Sequence, residues 1–149
     1  MENEFINSLV NLYERDLTKL ETEIKLYTDT ASLWTVAGDI KNSGGNLCLH
    51  LCGNLQHFIG HILGKSNYVR NREYEFSAKG LSAEVLVAEI QKTLAAVKST
   101  LLNLDKNLLT QAYPAQPLNY PMTTMFFLIH LESHLEYHLG QINYHRRLM

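Results

Sequence analysis

The chain has 149 residues, a net charge of −2 and 46% hydrophobic residues, with only three prolines. That is the size of one domain with a buried core, residues 1–149, and an ordinary globular composition. No basic run exceeds Arg146–Arg147, so the electrostatic footprint of a nucleic-acid binder is missing, and no stretch has the ~18 unbroken apolar residues a membrane span needs.

MENEFINSLV at the N-terminus is acidic and amphipathic and lacks the basic start of a secretory signal, which points to the cytoplasm. Cys48 and Cys52, one helical turn apart, are poorly placed for a disulfide and too few for a zinc knuckle, so both read as reduced packing residues. Ile6, Val10, Tyr13, Leu17, Leu20, Ile24 and Tyr27 alternate spacings of four and three and predict a long first helix ending near Thr28–Thr30. In the connection that follows, Trp34 reads as a plug at the bundle end rather than a ligand-stacking residue. Asn42 or Ser43 can cap a second helix over about Gly45–Leu63, whose apolar stripe is Leu47, Leu51, Leu55, Phe58 and Ile62. His50, Asn54, His57 and His61 form a separate stripe about 60° wide. Gly53 and Gly60 cost this helix roughly 1 kcal/mol each relative to Ala, and suggest close approach of a neighbouring backbone or a ligand.

Gly64–Gly80 is polar and Arg-rich with no sustained period, and too long for a tight helix–helix turn. At ~3.3 Å per residue it can cross the full ~30 Å of a bundle, which permits the second and third helices to run parallel. Ser82 caps the third helix, along which Leu86, Ile90, Leu94, Val97, Leu101, Leu104 and Leu108 repeat the seam of the first. A connector over residues 111–120 leads to Pro121, placed to open a fourth helix that ends at Arg146 or Arg147. No β alternation, internal repeat or low-complexity segment interrupts this pattern, so the expected fold is an all-α four-helix bundle.

The fourth helix carries four histidines within sixteen residues. At about 100° per residue, His130, His134, His138, Gln141 and His145 share roughly one quarter of its circumference. His134 and His138, four apart, can bind one ion, but a single helix cannot close a coordination sphere. The remaining ligand must come from elsewhere, and His50, His57 and His61 are the other histidines outside this helix. Glu132 and Glu136 point away from the stripe and read as solvated.

The H-x-x-x-H-x-G-Q-I pattern of His134–Ile142, with NSGGNLCLHLCGNLQHFIG and YVRNREYEF before it, resembles the DinB-like (DinB/YfiT) superfamily. The likeness covers nearly the whole chain and implies a bundle in up-down-down-up order, with a long crossover between helices 2 and 3. It also implies a divalent metal held by His50, His134 and His138. Family members include thiol-dependent S-transferases and hydrolases, so the resemblance implies a metal-dependent enzyme acting on a small molecule and a low-molecular-weight thiol as cofactor.

Three neutral imidazoles leave a position open for water or thiol, the pattern of catalytic rather than structural zinc. Zinc or nickel is the expected ion, although imidazole also suits copper and iron. Asn54 and Gln141, on the histidine stripes, are candidates to touch bound water or substrate. Arg70 and Arg72 are candidates to grip a carboxylate or phosphate at the pocket mouth. His57, His61, His130 and His145 read as exposed or hydrogen-bonded. The competing expectation is a non-enzymatic helical stress or interaction protein with a structural metal or none; either way a homodimer is expected.

Overall fold

The seam read along the first helix is buried. In the computed structural model, which describes residues 1–149, α1 spans Glu2–Lys25, and Tyr13, Leu17, Leu20 and Ile24 are fully enclosed. A short α2, Thr30–Leu33, is capped by Asp29, whose side chain accepts from the Ser32 amide. α3 spans Gly44–Leu55 with Ser43 as its N-cap, and continues through a widened π-turn over Gln56–His61. The crossover contains a further short helix, α4, Arg72–Ser77, that its polar sequence does not announce. α5 runs Ala83–Leu102 from the Ser82 cap, and α6 runs Thr124–Leu148. Pro121 does not open α6. Thr123 does, accepting from the Phe126 amide at 3.1 Å, and Pro121 lies in the approach to it. The third seam also stops early, with α5 ending at Leu102 and Leu109, not Leu108, filling the core from a 3₁₀ turn over Lys106–Thr110.

Cross-helix contacts fix the helix directions. α1 and α6 run parallel, since Tyr13 meets Leu128 near one end while Glu23 meets Asn143 and Arg146 near the other. α3 and α5 also run parallel, through the Gln56–Thr93 bond near the end of α3 and the close approach of Gly64 to Thr100 beyond it. α1 and α5 are antiparallel, with Glu14 bonded to Lys98 and Lys25 beside Ala83 and Glu84. α3 and α6 are antiparallel, with Gly44 against His145 and Phe58 against Phe127. The order is up-down-down-up, and the crossover over residues 64–82 returns the chain to the starting end.

Thirty buried residues, from all four long helices and the connections between them, form one apolar cluster that includes Cys48 and Cys52, whose thiols are free. Trp34 packs beside Gly45 and donates to the Leu81 carbonyl at 2.9 Å, closing the bundle end as a plug. No helix is long and apolar enough to cross a membrane.

One polar seam joins α1 to α6. Asp16 is fully buried and paired with Arg15, which reaches Glu136 as well. Glu132 is not solvated. Burial, and then the neighbouring Asp16, raise its pKa to about 7, and its Oε1 is sealed from solvent. Tyr13, 0% exposed, donates its hydroxyl to the Leu128 carbonyl at 2.9 Å in the same layer. Tyr13→Phe therefore removes a buried hydrogen bond without changing the packed volume. Denaturant unfolding is expected to show a loss of about 1 kcal/mol at unchanged m-value.

Candidate metal centre

α3 contributes His50 and Asn54 from one face, and α6 contributes His134 and His138, one turn apart. Because the two helices run antiparallel, His50 sits level with that pair. Its Nε2 lies 3.2 Å from Nε2 of His134, which is in turn 3.1 Å from Nε2 of His138. The rings meet edge to face, and the three ligand atoms fall within 4.8 Å of one another.

The outer nitrogens decide what the inner ones present. His50 donates from Nδ1 to Glu75 Oε1 at 3.1 Å, and His138 donates from Nδ1 to Gln141 Oε1 at 2.7 Å. With its proton held outside, each of these rings turns a lone pair inward. His134 Nδ1 is buried with no hydrogen-bond partner. Even with a proton on Nε2, His134 can satisfy only one of its two neighbours. Burial first, and then His138 and His50, push the His134 pKa down to about 3, so it is neutral at neutral pH. The His138 pKa is also lowered, mainly by burial. Neutral imidazoles with inward lone pairs repel one another unless a cation lies between them. The nitrogen separations are close to the edge of about 3.3 Å expected for a tetrahedron with ligands at 2.0–2.1 Å. The donor set therefore fits a divalent transition ion.

Glu75 is the residue that sequence reasoning missed. α4, capped by Asn71, turns it inward, and Asn46 holds the segment down by donating to the carbonyls of Glu75 and Ala78 at 3.0 and 2.9 Å. Arg70 grips both carboxylate oxygens, at 2.8 and 2.9 Å. Burial alone would raise the Glu75 pKa; the hydrogen bonds from His50 and Arg70 hold it below the usual carboxylate value. Gly53 makes room for this arrangement, because a Cβ there would collide with the Glu75 carboxylate. Gly60, by contrast, has only ordinary contacts around it.

The other candidates surround the histidines. Asn54, Arg70 and Arg72 line a cleft of about 280 Å³ with His50, His130 and His134, and Asn54 Oδ1 is buried there without a partner. Arg70 is committed to Glu75, while Arg72 is exposed and lies over the Phe76 ring. Gln141 orients His138 from the side of a second, larger cavity, about 530 Å³, walled by Tyr137, Tyr144 and Leu47. The remaining histidines have local roles. His145 donates to the Thr35 carbonyl and accepts from the Tyr27 hydroxyl, His61 donates to the Ser66 carbonyl, His57 stacks on His61, and His130 stacks on Phe127.

Gly53→Ala is expected to expel the Glu75 carboxylate from α3 and free His50 to rotate. The check is metal affinity by competition with a chromogenic chelator, with a fall of about 10–100-fold expected while the helical circular dichroism is retained.

The DinB family model matches residues 16–149 of the chain. Among solved structures, a conserved protein from Enterococcus faecalis superposes with a TM-score of 0.76 at 16% identity, covering 95% of each chain. A DinB-like protein from Bacillus cereus ATCC 10987 gives the same score and identity, covering 95% of this chain and 91% of its own. At that identity the likeness speaks for the fold alone. No curated protein matches the chain.

Proposed function

This chain belongs to the DinB family, and on that premise we propose a metal-dependent enzyme that performs nucleophilic transfer or hydrolysis on a small molecule. His50, His134 and His138 are the proposed ligands of a divalent transition ion, zinc or nickel by their chemistry. The observation that carries the reading is the convergence of three imidazole nitrogens beside a cleft. Bound there, such an ion supplies Lewis acidity and brings the pKa of a water or thiol toward neutrality.

The chain's own residues do the rest. Glu75 and Gln141 keep the protons of His50 and His138 on Nδ1 and hold the rings in place. Asn54 offers a free carbonyl oxygen to a donor on the substrate or thiol. Arg72, exposed at the cleft, favours a ligand with a carboxylate or phosphate, whereas the charge of Arg70 is matched by Glu75. A low-molecular-weight thiol is the proposed co-substrate, and a second copy of the chain the proposed protein partner.

Elemental analysis of protein purified without an affinity tag tests the core of this reading. One divalent transition ion per chain is expected, lost in His134→Ala while the helical spectrum persists. Glu75→Gln should keep the ion but bind it about 10–100-fold more weakly. Metal content unchanged in His134→Ala would overturn the assignment.

A further inference from the structure

Two separate spaces border the histidine group. The cleft touches His50 and His134, whereas the larger cavity touches His138, and the two share no lining residue. At about 530 Å³ against about 280 Å³ the cavity is the roomier, and its size is that of a small-molecule site. Its outer wall is the connection from α2 to α3, and that wall is held in place. Trp34 anchors the start of the connection on the Leu81 carbonyl. His145, 4% exposed, donates to the Thr35 carbonyl at 2.8 Å and accepts from the Tyr27 hydroxyl at 2.7 Å. Gly44, at the start of α3, leaves room for that hydroxyl, which a Cβ there would strike. The cavity is therefore preformed, and a ligand need not order a loop to enter it.

The lining selects the occupant. Leu47, Leu148 and the rings of Tyr137 and Tyr144 offer an apolar surface suited to a flat ring, and the Tyr137 ring lies 5.4 Å from that of His138. Asp39 and Lys41, both exposed, set one charge of each sign at the rim, so the field there favours neither an anion nor a cation. The cleft differs in this respect, with the exposed Arg72 at its mouth. Gln141 spends its carbonyl oxygen on His138 Nδ1, so its amide N–H groups are left to donate to an acceptor in the cavity. We propose that this cavity binds the substrate, an uncharged aromatic carbonyl compound, with its ring against the tyrosines and its carbonyl oxygen on the Gln141 amide beside His138. The cleft is then left to the thiol or water. The reaction of this occupant rests on the metal-dependent function proposed above, whereas its binding needs only residues of the chain.

Prodan, a neutral naphthyl ketone whose emission moves to the blue in apolar surroundings, is the probe. Its binding is measured on the full chain as purified and after treatment with a chelator. One molecule per chain is expected to bind in both preparations, with a blue shift. Tyr137→Ala and Tyr144→Ala, at exposed positions, should each weaken it on the order of 10-fold with the helical spectrum retained. Gln141→Glu keeps an oxygen for His138 and removes the donor. It should weaken prodan on the order of 10-fold and leave unchanged the affinity of dimethylaminonaphthalene, the same ring without the ketone. Leu118→Ala, in the wall of the cleft, should leave prodan binding unchanged. No binding by the wild type, or weakening by Leu118→Ala and not by Tyr144→Ala, overturns the cavity as the site. Equal losses for both probes in Gln141→Glu overturn the recognition of a carbonyl. Prodan bound as expected by a protein that holds no ion as purified supports the cavity and counts against the metal-dependent reaction alone.

Discussion

The buried carboxylate of Glu75 is the constraint around which the centre is arranged. An isolated ionised carboxylate is costly inside a protein, and this one is tolerated because Arg70 closes on both oxygens and His50 donates to one of them. The ion pair does two things at once. It pins the crossover to α3, and it decides which nitrogen of His50 faces the other imidazoles. The carboxylate reaches α3 only because Gly53 has no side chain at the point of contact. Removing any one of these partners would leave a buried charge or a rotated imidazole, so positions 50, 53, 70 and 75 behave as a unit.

The topology explains why a connection, and not a fourth bundle helix, supplies this partner. Parallel α3 and α5 oblige the chain to return along the bundle between them. The returning segment passes the level of His50, where α4 and the Asn46 bonds fix it. Antiparallel α3 and α6 then bring His50, in the middle of α3, opposite the middle of α6. The histidine group thus follows from helix directions that the apolar seams and one long crossover impose.

Much of this is legible in the sequence, and the limits have physical causes. The seams of α1 and α5, the Ser43 and Ser82 caps and the two histidine stripes are local patterns, and the helices follow them closely. Choosing His50 among three histidines on one stripe required the family resemblance, because spacing alone cannot tell which turn of α3 meets α6. Glu75 was invisible for a different reason. Within REYEFS a glutamate reads as solvated, and its burial depends on Arg70, His50 and Gly53, contacts that no periodicity encodes. Glu132 was misread similarly, since its environment is set by Asp16 on another helix. The start of α6 shifted because Thr123 offers a side-chain cap that Pro121 cannot.

α6 shows why a single apolar period describes this chain poorly. Phe127, Leu128, Leu131, Leu135, Leu139 and Ile142 face the core; the histidines and Gln141 occupy the next quarter; and the exposed Phe126, Ile129, Tyr137 and Tyr144 take the one beyond. A helix that served only the bundle would carry charges on its outer surface for solubility. Here charge is confined to the edge against α1 and to the C-terminal end, and the outward tyrosines are left beside the cavity that His138 and Gln141 line. One helix thereby carries the core, the imidazoles and an aromatic surface in adjacent sectors, and the Tyr137 ring of the outer sector lies 5.4 Å from that of His138.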